Sequence, residues 1–174
     1  LEFRRVLFRS IKILVENDYA KNVLLQFQTN ATLLDDANIE LLNQFKQQAH
    51  VFSVDGTGKT YEYIRHKSSF DLVESNIFNW LSKSNNIRSV AFNLVLSALN
   101  VLNLREYLEW IGDTFSYKYE IKIHISEIRP FTRGISLYNV PIDILKLAKK
   151  RVEDFEKENT NNLLHYEIGN IYKF

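Results

Sequence analysis

Ser89–Leu96 reads SVAFNLVL. Val90, Phe92, Leu94 and Leu96 fall on one side of an extended chain, and Ser89, Ala91, Asn93 and Val95 fall on the other. That period of two is the mark of a strand. A helix follows. Leu104, Tyr107, Leu108, Ile111 and Phe115 recur at helical spacing, with Asn103 and Glu106 placed as N-cap and acidic third residue. Glu120–Ser126, EIKIHIS, then alternates again, Ile121, Ile123 and Ile125 against Lys122, His124 and Ser126. Strand, helix and strand in that order form a crossover unit, which makes the two strands parallel.

The same unit repeats upstream. Val23–Phe27, VLLQF, is a short apolar run that gives way to Thr29-Asn30 and reads as a buried strand. Asp35 is placed as a helix N-cap, with Leu34 and Ile39 as a hydrophobic staple, and Ile39, Leu42 and Phe45 at helical spacing. Ala49–Val54, AHVFSV, is the next strand-like run and stops at the turn signal Asp55-Gly56. Phe70, Val73, Ile77, Trp80 and Leu81 mark a helix that Ser68 or Ser69 would cap. Downstream, an irregular stretch passes Arg129, Pro130 and Gly134. Pro141 suits the first position of a last helix. Its apolar stripe is Leu145, Ala148, Val152 and Phe155, and Lys146, Lys149, Lys150 and Arg151 form its solvated face. Leu163–Phe174 is a tail that reads as a strand or a peripheral turn. The expectation is an α/β chain of about four parallel βα units. Four units cannot close an eight-stranded barrel, so they form an open sheet or part of an incomplete barrel.

The chain has 174 residues, 45% of them apolar and 25% charged, which suits one globular domain. No apolar run approaches the roughly 20 residues of a membrane-spanning helix, and a cytoplasmic location is expected. Cysteine is absent. That excludes disulfides, thiolate metal sites, a cysteine nucleophile and an iron–sulfur cluster held by thiolates of this segment. His50, His66, His124 and His165 show no metal-ligand spacing. The net charge of +1 does not point to nucleic acid. Residues 1–10, LEFRRVLFRS, have no useful period and look like a translated sequencing adapter, to be set aside in fold reasoning. Without them the charge becomes −1, since they hold three Arg and one Glu. Methionine is absent even at position 1, so the expectation is a piece of a longer protein beginning near Ile11.

In parallel α/β folds ligands bind at the C-terminal ends of the strands. Here those ends carry Thr29 and Asn30, Ser53 with Asp55 and Gly56, Asn93 and Ser97, then His124, Ser126 and Glu127. Uncharged polar groups suit a ligand with hydroxyls and amides, such as a nucleoside; the same residues also serve as ordinary turn formers. Asp55–Thr60, DGTGKT, approaches a phosphate-binding loop, but Ser53 stands where that motif needs its first glycine. A nucleotide-binding module using Gly56, Gly58, Lys59 and Thr60 is therefore the alternative reading. A non-catalytic interaction domain with a Tyr/Phe-rich surface is a third.

QTNATLL at 28–34, SVDGTGKTYEYIR at 53–65, SFDLVESNI at 69–77 and FNLVLSALNVLNLREYLEWI at 92–111 are together similar to the second half of a radical S-adenosylmethionine (radical SAM) enzyme. They most resemble the subgroup with a shortened "twitch" auxiliary region after the barrel. The resemblance implies the later part of a partial (β/α)6 barrel, its third to sixth βα units, over 11–158, with 159–174 as a tail and the start of a possible auxiliary region. It implies that Ser53 hydrogen-bonds the ribose or the methionine carboxylate of S-adenosylmethionine, that Arg65 reaches that carboxylate, and that Asn93 contacts the ribose hydroxyls. Thr29, Asn30, Asp55, Gly56 and His124 would line the barrel mouth, with Asp55 facing substrate. On the residues alone, Asp55-Gly56 also reads as a plain turn and Arg65 as a partner of Glu62. In the intact enzyme the resemblance implies a [4Fe–4S] cluster, an electron donor and a 5′-deoxyadenosyl radical that abstracts a substrate hydrogen. The cluster-binding cysteines and the GGE-like motif would lie upstream of Ile11, so this cysteine-free stretch is expected to be inactive alone. The substrate class, peptide, nucleotide or small metabolite, stays open.

Overall fold

A computed structural model describes residues 2–115, 119–128, 134–159 and 164–168. Five strands form one sheet, β1 (Leu24–Thr29), β2 (Gln47–Ser53), β3 (Ile87–Leu96), β4 (Ile121–Glu127) and β5 (Leu164–Ile168). They stand in sequence order, and every neighbouring pair is parallel. The tail thus supplies a fifth strand. The helices are α1 (Glu2–Glu16), α2 (Asp36–Leu42), α3 (Gly58–Ile64), α4 (Phe70–Lys83), α5 (Leu104–Phe115) and α6 (Ile142–Glu158). Residues 2–10 are the first part of α1, which continues through buried Ile11. No helix among the described residues is long and apolar enough to cross a membrane.

The alternation in the sequence becomes a two-sided sheet. Val90, Phe92, Leu94 and Leu96 are buried, while Ala91, Asn93 and Val95 between them are only half-buried. Ile121, Ile123 and Ile125 are buried and Lys122, His124 and Ser126 are exposed. The buried side meets the helices. Trp80 of α4 stacks on His50, with ring centroids 4.0 Å apart, and meets Phe52 edge-on at 5.3 Å. Phe92 packs between Trp110 at 5.5 Å and Phe115 at 5.4 Å, both from the α5 segment. Burying each such ring contributes about 2–3 kcal/mol. The other side of the sheet carries Gln26, Gln28, Val51, Ser53, Ala91, Asn93, Lys122 and His124, all half-buried or exposed. Strands added in one direction, joined by crossover helices that pack on one face, make a singly wound parallel sheet. Among the described residues β1 and β5 are the two edges of the sheet.

Local signals explain most of the helices. Asp35 Oδ1 accepts from Asn38 N at 2.9 Å and caps α2, between buried Leu34 and Ile39. Ser69, rather than Ser68, caps α4 through Leu72 N. The α4 stripe Phe70, Val73, Ile77, Trp80 and Leu81 is buried, as is the α5 stripe. Pro141 stands one position earlier than expected, before the first residue of α6. Arg151 departs from the solvated face it was expected to share: it is half-buried and paired with Glu106 of α5. Helix α3 has no counterpart in the expectation, and α2 ends at Leu42, leaving buried Phe45 outside it. Arg129, Pro130 and most of the tail's ends lie outside the described residues.

Candidate functional site

The C-terminal ends of β2 and β3 are joined by a buried polar network. Asp55 follows β2 and is 5% exposed. Its Oδ1 accepts from Val95 N at 3.0 Å, which ties the loop to β3. Its Oδ2 takes Arg65 Nε at 2.7 Å and Nη2 at 2.5 Å. Arg65 closes α3, and its side chain remains 38% exposed. Arg65 therefore pairs with Asp55 and not with Glu62, whose Oε1 instead accepts from Phe70 N at the start of α4. Asp55 is turned inward onto this network.

Two asparagines that follow β3 hold the loop from above. Asn100 is 1% exposed. Its Nδ2 donates to the carbonyls of Asp55 and Val95, both at 2.9 Å, and its Oδ1 accepts from Ser97 N at 2.8 Å. Asn103 does not cap α5. It ends a 3-10 turn that runs directly into that helix, and its Oδ1 accepts from Thr57 N at 2.8 Å. Gly56 makes the fit possible: at φ +139°, a Cβ there would stand 2.8 Å from Asn103 Oδ1. Tyr107 of α5 is buried, and its hydroxyl has no hydrogen-bond partner among the described residues. Burial, and secondarily the charge of Asp55, push its pKa well above the usual phenol value, so it stays neutral.

Beside this network lies a row of open polar groups. Ser53, Asn93 and His124 occupy one rung, each in register with the next. Neighbouring strands are about 4.8 Å apart, so these residues share one small surface. Ser53 Oγ accepts from Gln28 Nε2 at 2.5 Å. Asn93 is half-buried, and its side-chain amide makes no hydrogen bond among the described residues. His124 is exposed on the sheet face opposite the one the described helices cover. Thr29 and Asn30 serve their own turn: Thr29 Oγ1 accepts from Ala31 N at 3.1 Å and Asn30 Oδ1 from Thr32 Oγ1 at 2.9 Å.

The expected site residues thus separate. Ser53, Asn93 and His124 share a rung, and Arg65 is held against Asp55 beside it; Thr29 and Asn30 are engaged in a turn. Gln28, Asn100 and Asn103 are additions. Gln28 and the two asparagines lie inside stretches quoted above, but nothing in their spacing distinguishes a loop clamp from a cap.

The phosphate-loop alternative fares poorly in this geometry. A phosphate cradle needs free backbone N–H groups. Thr57 N–H is spent on Asn103, and the Asn103 side chain fills the space above Gly56. Among the described residues no cluster of metal-ligating side chains occurs. With no cysteine in the sequence, the residues present do not fit an iron–sulfur cluster. They do fit an amino-acid-bearing nucleoside. The rung offers an amide and a hydroxyl for ribose, and the half-exposed guanidinium offers charge for a carboxylate.

The chain folds like SuiB of Streptococcus suis. Its structure aligns with a TM-score of 0.55 over 82% of this chain and 32% of that one, at 14% identity. SuiB bound to S-adenosylmethionine aligns with a TM-score of 0.54 over 90% of this chain and 34% of that one, at 12% identity. SuiB bound to the precursor peptide SuiA gives 0.56 over 93% and 35%, again at 12% identity. The chain therefore spans about a third of SuiB. No family model matches the sequence, and no curated protein is significantly similar to it.

Proposed function

We propose that this chain is the later part of a radical SAM barrel whose rung of Ser53 and Asn93, with Arg65 beside it, holds S-adenosylmethionine. The observation that carries the reading is the register of Ser53 with Asn93 at the strand ends, Ser53 standing two residues before Asp55, whose carboxylate holds the partly exposed Arg65. The likeness in fold to a protein crystallised with S-adenosylmethionine supports it. Ser53 and the free amide of Asn93 would orient the ribose, and the guanidinium would neutralise the methionine carboxylate. Bound across one rung, the nucleoside would be oriented by these side chains against the strand ends. S-adenosylmethionine would supply the radical chemistry in the intact enzyme; this chain's residues bind and orient it. The cluster, the twitch region and the electron donor belong to the same reading of the whole protein, as does a cytoplasmic location. A peptide is the substrate class we favour, given the peptide-bound SuiB structure.

Calorimetric titration of S-adenosylmethionine into the full-length protein tests the assignment. Asn93→Ala and Ser53→Ala are each expected to weaken binding about fivefold to tenfold, one lost hydrogen bond of about 1 kcal/mol apiece. Binding unchanged in both variants would refute the placement of the ribose.

A further inference from the structure

The guanidinium of Arg65 has two usable edges, and the structure shows only one in use. Nε and Nη2 face Asp55 Oδ2, at 2.7 and 2.5 Å. No contact among the described residues engages Nη1, and the side chain is 38% exposed. Asp55 itself cannot swing. Val95 N–H holds its second oxygen, Asn100 holds its carbonyl, and the side chain is 7% exposed. A planar fork fixed along one edge presents the other edge in a defined direction. A lysine in that place would offer a point charge with no second edge.

We propose that Asp55 is a positioning residue that clamps Arg65 by its Nε/Nη2 edge, so that the Nη1 edge stands ready for the carboxylate of an amino-acid-bearing nucleoside. This rests on the assignment of S-adenosylmethionine to the site. It gives Asp55 a role other than facing substrate: it acts through Arg65. The pre-set fork loses less conformational freedom when the ligand binds. The opposing effect is that Asp55 offsets part of the arginine's charge. At a side chain this exposed, solvent screens that term, so the gain in orientation wins.

The test compares S-adenosylmethionine with 5′-methylthioadenosine, the same nucleoside without the amino-acid arm, by calorimetry on the full-length protein. Asp55→Asn keeps an acceptor for Val95 N–H and removes the clamp's charge. It is expected to weaken S-adenosylmethionine about tenfold and to leave 5′-methylthioadenosine unchanged. The Arg65 Nε–H signal in ¹⁵N–¹H spectra should shift or vanish in the variant without ligand, a change that general loosening of the loop would not confine to one resonance. Arg65→Lys is the second variant, safe for folding because the side chain is partly exposed. It should show the same ligand-selective tenfold loss. Unchanged or tighter S-adenosylmethionine binding in Asp55→Asn, or wild-type affinity in Arg65→Lys, would overturn the clamp while leaving the site assignment standing. Failure of the wild-type protein to bind S-adenosylmethionine would overturn the assignment and the clamp with it.

Discussion

Replacing Asn100 by Ala removes the tie that holds the ends of β2 and β3 together. The amide makes contacts at 2.9 Å to the carbonyls of Asp55 and Val95, and at 2.8 and 3.2 Å to the backbone and hydroxyl of Ser97. Asn100 is 1% exposed and Asp55 and Ser97 are each 5% exposed, so water does not readily replace it. At about 1 kcal/mol for each of the well-made bonds, the loss is about 3 kcal/mol. Stranding two carbonyls and an N–H in a buried site pushes the figure up rather than down. Urea unfolding followed by tryptophan fluorescence reads it directly as a lower midpoint at unchanged slope. Asn100→Asp sharpens the test. It keeps the acceptor for Ser97 but sets a carboxylate against two carbonyls, so at neutral pH it should be less stable than the alanine variant. A loss below about 0.5 kcal/mol for alanine would mean that the clamp carries little, since ordinary surface substitutions fall within that range. An aspartate variant as stable as wild type would refute the hydrogen-bond directions assigned here.

Other outcomes follow from the same geometry. His50 is buried between Phe27, Phe52 and Trp80, and burial lowers its pKa to about 3. The native state therefore holds it neutral. Its contribution is complete above the unfolded value near 6.5 and falls away as pH drops from there towards about 3. Between pH 7 and pH 5 this costs about 2 kcal/mol, and His50→Phe should flatten that part of the stability profile in denaturant titrations at each pH. Gly56→Ala and Gly58→Ala should separate. A Cβ at Gly56 meets Asn103 Oδ1 at 2.8 Å at φ +139°, whereas Gly58, at φ +49°, has open space around it. We expect about 2–3 kcal/mol for Gly56 and about 1 kcal/mol for Gly58, measured by thermal melts. Equal losses would mean that Asn103 does not press on the loop.

The parts of the fold that could be read from sequence are those where periodicity and burial coincide. Val90 to Leu96 and Ile121 to Ile125 alternate because, among the described residues, helices cover one sheet face, and the α4 and α5 stripes record those helices. Strand and cap signals at Asp35 and Ser69 are local and therefore visible. Helix α3 escaped because GKTYEYI buries only Tyr61 and so has no stripe. Asn103 was misplaced because an asparagine three residues before a glutamate fits a cap equally well; what decides is Thr57, 46 residues away. The partner of Arg65 is likewise tertiary. Glu62 is nearer in sequence, but it is engaged at the start of α4, and Asp55 is the carboxylate that the turn brings to the guanidinium. Ser53 and Asn93 were identified by resemblance, and their common rung is a matter of register that no single strand contains.

S-adenosylmethionine held at the polar strand ends through Arg65, as proposed, and a nucleotide phosphate held by the DGTGKT loop make opposite demands on Arg65 and Lys59. The most direct measurement is competitive binding of S-adenosylmethionine and ATP to the full-length protein and its Arg65→Ala and Lys59→Ala variants. Saturable S-adenosylmethionine binding is expected, falling at least tenfold in Arg65→Ala and unaffected by Lys59→Ala. Tight ATP binding that disappears in Lys59→Ala, with S-adenosylmethionine indifferent to Arg65, would contradict it.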